Sequence, residues 1–287
     1  MSDPGDDMAG VWRALENQLQ GVLGVSARRL VGEGPDRGPV AYRSIERVPA
    51  ASTIKVFILQ TLLERVAEGN ARLDEELVLR AEDRVTGSGV LKSLSADRAY
   101  TLLDLATLMI VVSDNTATNL LIGRLGVEAI NAVAADHGWA ASRLVGLLQR
   151  PDLRREGDTS VSTTSPRDLA DYFTALWQGR LLPAELTDVA QGIYRAQQRT
   201  DQLGRFLPFD RYSTETGDSD LVIASKSGSI RGVRNDAGVV EAGASSYVLA
   251  VMTRGCPDER FHPDNVGGLV VSRVSQALFE RFMTTTG

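Results

Sequence analysis

Strand-like runs stand at the two ends of this chain, and helical patterns fill its middle. Apolar stretches bounded by turn residues read as strands at Leu23–Leu30 and Pro39–Ile45, and again at Leu221–Ser225, Gly238–Glu241 and Tyr247–Met252. Between the two groups the pattern is helical to about Ala196, one helix (Met8–Leu19) leads the chain and another (Asn265–Phe282) closes it. Thr101 with Asp104, and Ser165-Pro166 with Asp168, have the spacing of helix starts of the capping-box type. Strands so far apart in sequence must share one sheet to be stable. The expectation is therefore a discontinuous sheet domain (1–46 and 205–287) with an all-helical domain (47–204) inserted in it. Short connections between neighbouring strands predict antiparallel pairing. The fold class is α/β in the sense of an α+β sandwich: an antiparallel sheet flanked by the N- and C-terminal helices. A cleft between the two domains is the natural place for a site.

Composition narrows the chemistry. At 287 residues, 43% hydrophobic and 24% charged, the chain reads as an ordinary globular protein with ample length for a core. A net charge of −6 argues against nucleic acid as a partner. The longest apolar run, Leu105–Val112, is a buried helix and far short of a membrane span. The opening Met1-Ser2-Asp3-Pro4-Gly5-Asp6-Asp7 is acidic with no apolar core behind it, which predicts a cytoplasmic protein unless a leader precedes the sequence as written. Cys256 is the sole cysteine, so no internal disulfide forms, and beside Gly255 and Pro257 it is expected to pack. The two histidines, His137 and His262, belong to no Gly-x-Ser-x-Gly elbow and no metal-ligand spacing. His137, before Gly138, suits a helix C-terminus. Gly87-Ser88-Gly89 is too short for a phosphate loop and lacks the following lysine. No cofactor is implied.

Lysine usage is the sharper signal. Of 31 basic residues only Lys55, Lys92 and Lys226 are lysine, leaving 28 arginines. A lysine that survives such replacement is a candidate for work that guanidinium cannot do, chiefly giving up a proton. Lys92 is assigned to chance. Lys55 closes Ser52-Thr53-Ile54-Lys55 ahead of the apolar run Val56–Leu63; spacing of three on a helix puts Ser52 and Lys55 on one face. A serine at a helix N-terminus meets unpaired N–H groups that favour developing negative charge. Ser113-Asp114-Asn115 sits at a break between two helices, and Lys226-Ser227-Gly228 ends a strand-like run. Each alone has a plainer reading: Ser52 and Ser113 as helix caps, Lys226 as a solvated strand-end charge.

In this order the three motifs resemble those of the class A β-lactamase-like serine hydrolases, relatives of the penicillin-binding D-alanyl-D-alanine peptidases. Gly87-Ser88-Gly89-Val90-Leu91-Lys92, Leu108–Ile122 and Thr163–Ala170 extend the likeness, which runs from about Val22 to the last helix. The resemblance implies a β-lactamase/transpeptidase-like fold with the cleft as active site. It implies Ser52 as acylated nucleophile, Lys55 as its base, and Ser113 as proton relay to the leaving group. Asn115 would hold the substrate amide; Lys226 and Ser227 would take its carboxylate, with Lys226 also disfavouring the charged form of Lys55. Backbone N–H groups of Ser52 and Ser229, the latter following Gly228, would form an oxyanion hole, and Arg234 would assist with the carboxylate.

One departure stands out. Where class A enzymes carry the glutamate that activates water for deacylation, spacing from either side lands on Gln149; an alignment on Pro151-Asp152-Leu153 gives Arg150. Neither is a carboxylate, and glutamine cannot take a proton. Asp152 and Glu156 are carboxylates close enough in sequence to serve instead. The expected partner is a small molecule: a β-lactam, ester or short peptide bearing a carboxylate. Three readings stand: a β-lactamase-like hydrolase, a cytosolic esterase or D-alanyl-type peptidase, and a penicillin-binding sensor that acylates without turnover. Oligomeric state is not legible.

Overall fold

The computed structural model describes residues 8–32, 37–150, 162–210 and 221–283. The chain opens with α1 (Ala9–Leu19), β1 (Val22–Val31), β2 (Val40–Tyr42) and β3 (Val48–Pro49). A 3-10 turn, Ala51–Ile54, leads into α2 (Lys55–Ala67), followed by β4 (Glu76–Leu79) and β5 (Arg98–Thr101). Then come α3 (Leu102–Val111), α4 (Asn115–Leu125), α5 (Val127–Asp136), β6 (Thr163–Thr164), α6 (Pro166–Trp177) and α7 (Ala184–Arg195). The chain ends with β7 (Leu221–Ile230), β8 (Val233–Ala242), β9 (Ser245–Arg254) and α8 (Val266–Met283).

The two groups of strands meet as the sequence requires. They form one five-stranded sheet in the order β2-β1-β9-β8-β7, with every pairing antiparallel. Alternation along β9 shows why it is central. Tyr247, Leu249 and Val251 face the core built with Trp12 of α1 and Val270, Val274 and Leu278 of α8, whereas Val248, Ala250 and Met252 face the core of helices α2 to α7. A strand covered on both faces is apolar at successive positions, which is how this run reads in the sequence.

The middle of the chain is mainly helical and carries two short ladders besides, β3 with β6 and β4 with β5. Helix starts follow their caps. Thr101 Oγ1 accepts from the Asp104 N–H at 3.0 Å while Asp104 accepts from the Thr101 N–H at 3.2 Å. Ser165 Oγ accepts from the Asp168 N–H at 3.1 Å, with Pro166 in the first turn. Helix α2 is buried from Lys55 to Leu63. His137 caps α5 at its C-terminus, stacks on Trp139 at 4.6 Å and meets Glu64 at 2.6 Å. Cys256 is buried and free. Among the described residues no helix is long and apolar enough to cross a membrane.

The end of β7 differs from expectation in a way that bears on the site. Lys226-Ser227-Gly228 does not end β7 but lies inside it, paired with Ala237, Asp236 and Asn235. A ladder is made by the backbone, so polar side chains do not break a strand that has a cleft to face. Gly232, at φ +68°, then turns the chain into β8 with a backbone that only glycine adopts freely.

The side chain of Asn235, fully buried on β8, ties the sheet to the turn before α2. Its Nδ2 donates to Pro49 O at 2.9 Å and Ala50 O at 3.2 Å, while its Oδ1 accepts from the Thr253 N–H at 3.0 Å. Asn235→Ala strands these three backbone groups. It is expected to cost about 1–3 kcal/mol, read as a lower midpoint in urea unfolding.

Candidate active site

Ser52 sits in the 3-10 turn, half-buried, on the wall of a cavity of about 640 Å³. The residue before it, Ala51, is held at φ +48°, a left-handed conformation costly for a residue with a Cβ. Strand β7 passes close by. A Cβ on Gly228 would lie 2.8 Å from Ser52 N and 2.9 Å from Thr53 N, so only glycine lets the strand approach the Ser52 turn this closely. Ser229, the next residue, lines the same cavity as Ser52.

Lys55 and Lys226 are both buried, and both reach Ser113. Lys55 Nζ donates to Ser113 O at 2.8 Å, Ser113 Oγ at 3.1 Å and Asn115 Oδ1 at 2.9 Å. Lys226 Nζ donates to Ser113 Oγ at 3.1 Å and to Ser227 O at 2.7 Å. Ser113 is itself left-handed, at φ +57°. The break between α3 and α4 holds it there, because Asp114 caps α4 through Ala117 N at 3.0 Å and accepts from Leu91 N at 2.7 Å. Gly87 and Gly89 press against this break; a Cβ on Gly89 would fall 2.2 Å from the Asp114 carboxylate. Half-buried Lys92 reaches Gly87 O from the same loop.

Burial disfavours charge on both lysines. Lys55 is pushed well below its ordinary value by burial first, then by Lys226 and Arg199, with Asp114 opposing. Lys226 is brought down to about 7 by burial, with Arg199 adding to the fall and the buried carboxylate of Asp236 opposing it. A charged Lys55 has three protons for its three acceptors. A neutral one has two protons and a lone pair, and of its partners only the Ser113 hydroxyl can turn its own hydrogen toward that lone pair. Lys55 can therefore lose a proton without losing a partner.

The Beta-lactamase enzyme family matches this chain over residues 10–282. The chain belongs to that family. β-Lactamase L2 of Stenotrophomonas maltophilia is 31% identical over 170 residues, which is 59% of this chain and 54% of that protein, so the match spans about half of that curated relative. Among solved structures, a β-lactamase from Sphaerobacter thermophilus DSM 20745 is 30% identical with a TM-score of 0.82, covering 96% of this chain and 97% of that one. A single-residue mutant of PBP-A, described as an acyl-enzyme complex with penicillin G, is 26% identical with a TM-score of 0.77, covering 97% and 99%. Its fold is that of the β-lactamase structures it matches.

The cavity has three features that bear on its chemistry. Gln149 lines it, at φ +55°, together with Ser52, Asn115 and Gly87. Arg150 lies instead in a smaller cavity with Asn119 and Arg124. Of the two alignments the structure thus brings Gln149 to the site; Asp152 and Glu156 lie outside the described residues. The neighbouring backbone is fixed by Asn119, which accepts from Leu148 N at 2.8 Å and donates to Leu148 O at 2.9 Å.

Second, Arg234 is not on the cavity wall. Its guanidinium donates to Ile230 O and Val233 O at 2.7 Å each and to Arg260 O, so its hydrogens serve the backbone. Third, Arg199 and Arg231 do line the cavity, and nothing in their sequence spacing marks them. Arg199 becomes visible only once the segment after α7 is folded back on Val112, whose carbonyl it meets at 3.4 Å. Among the described residues no group of His, Cys, Asp or Glu could hold a metal ion.

The charge on Lys226 is present below about pH 7 and lost above it. A carboxylate bound against it favours the charged form. Calorimetric affinity for a simple carboxylate such as benzoate is expected to weaken as pH rises through about 7, approaching tenfold per pH unit at the limit. Lys226→Gln should flatten that dependence.

Proposed function

We propose that Ser52 is the nucleophile of an acyl-transfer reaction on small carboxylate-bearing amides or esters, β-lactams among them. The observation that carries this is the Ser113 hydroxyl, held at 3.1 Å by Lys55 on one side and Lys226 on the other. Neutral Lys55 takes the proton as Ser52 Oγ bonds to the substrate carbonyl carbon. The N–H groups of Ser52 and Ser229 receive the oxyanion, and Asn115 holds the acyl-side amide. As the C–N or C–O bond breaks, Ser113 passes its proton to the leaving atom and is reprotonated from Lys55. Lys226, Ser227 and Arg199 take the carboxylate. The cleft would lie between the sheet part (1–46 and 205–287) and the helical part (47–204).

The second step is where this chain differs. Gln149 stands beside the site but has no basic atom to accept a proton from water, so hydrolysis of the acyl-enzyme falls to Lys55 and Ser113. This favours slow turnover, and it keeps open a reading in which penicillins acylate Ser52 and stay. The acyl-enzyme of the PBP-A mutant supports acylation by a penicillin on this fold.

Intact mass after mixing with benzylpenicillin tests the reading. An adduct on Ser52 that persists for hours is expected; neither adduct nor loss of the drug would remove β-lactams from the substrate class and leave esters. In the Ser52→Ala protein the adduct should vanish, and loss of the nucleophile can cost about 10⁶ in rate. Hydrolysis that survives this change would overturn the mechanism. Gln149→Glu is expected to shorten the adduct's lifetime about 100-fold, as a positioned general base does. An unchanged lifetime would show that position 149 does not face the acyl carbonyl.

A further inference from the structure

Phe261 has the most exposed large apolar side chain among the described residues, at 68%, and it lies on the wall of the cavity that holds Ser52. Leaving a phenyl ring in water forgoes the gain of burying it, so a loop free to move would tend to tuck the ring away. Here the ring is exposed on a loop that is firmly held. Asn265 Nδ2 donates to Asp258 O at 2.7 Å and Arg260 O at 3.0 Å, and Asp258 accepts from Val266 N at 3.0 Å and from both arms of the Arg260 guanidinium at 2.8 and 2.9 Å.

Arg234 completes the support. It donates to the carbonyls of Ile230 and Arg260 and places its guanidinium carbon 4.8 Å from the Phe261 ring centroid. A guanidinium against one face of the ring fixes its orientation and leaves the rest of the ring free. The buried arginine that sequence spacing suggested for the substrate carboxylate thus supports an aromatic platform.

We propose that Phe261, with Ile230 beside it, is a specificity-determining surface for an aromatic or other apolar group on the leaving part of the substrate. This rests on Ser52 being the nucleophile. The side is set by the chain: Ser229, Ile230 and Arg231 continue β7 directly from Lys226-Ser227-Gly228, the carboxylate end, whereas Val145 to Gln149 line the cavity from the segment that Asn119 fixes. The substrate class is then an amide or ester whose leaving group carries both a carboxylate and an apolar side chain.

The test uses two esters with the same benzoylglycyl acyl group, one of lactate and one of phenyllactate. The native protein should prefer phenyllactate by about fivefold in kcat/KM, the size of one aromatic contact, mainly through KM. Phe261→Ala is expected to remove the preference and Phe261→Tyr to keep it. Arg234→Gln should lose it through KM rather than kcat, with Arg234→Lys, which returns a cation to the ring, restoring part. A preference that survives Phe261→Ala overturns the proposal. Calorimetry on the Ser52→Ala protein gives a readout free of turnover: equal affinity for the two esters also overturns it. An intact preference in the native protein, with hydrolysis of both esters surviving Ser52→Ala, would instead overturn the nucleophile assignment and leave Phe261 in its role.

Discussion

Two buried ammonium groups converging on one hydroxyl are the constraint around which this structure is arranged. Lys55 and Lys226 both donate to Ser113 Oγ, and neither is exposed. Like charges this close, out of water, cannot both persist at little cost, so at least one proton is held loosely. At Lys55 burial, Lys226 and Arg199 all act against the charge. Arginine could not serve at either position, since its proton does not leave. A composition nearly purged of lysine carries the trace of that requirement.

The backbone around this pair is under visible stress. Ala51, Ser113 and Gln149 are all non-glycine residues at positive φ. In the proposed reaction they flank the nucleophile, carry the relay hydroxyl and face the acyl group respectively. Strain of this kind persists only where the surroundings over-determine it. The clasp of Asn119 on Leu148, the cap of Asp114 on α4 and the bonds of Asn235 to the turn before α2 are what do so here. Each is a side chain satisfying backbone that the regular elements leave over.

How much of this the sequence discloses depends on how local the physics is. Helix starts at Thr101 and Ser165, the two-sided burial of β9 and the grouping of strands at the chain ends are written in neighbouring residues, and they are legible. The three short motifs single out Lys55, Ser113 and Lys226, which meet at the Ser113 hydroxyl. What escapes are contacts made by segments remote in sequence. Arg199 reaches the cavity only because the chain after α7 folds back on Val112. Arg234 looks like a ligand-binding arginine until the carbonyls of Ile230, Val233 and Arg260 are seen around it. The extension of β7 through Lys226-Ser227-Gly228 is hidden because polar side chains mask a ladder that only backbone makes.

The double duty of β9 bears on motion as well as stability. Its residues alternate between the two cores, so neither side of the molecule can loosen without stripping a strand that the other side also needs. Sheet and helices are thereby coupled into one cooperative body and not joined by a hinge, and a hinge is what an enzyme that clamps its substrate requires. A groove walled by such a body resists opening and closing. Selection among ligands then works as a gauge does, by what already fits between its jaws.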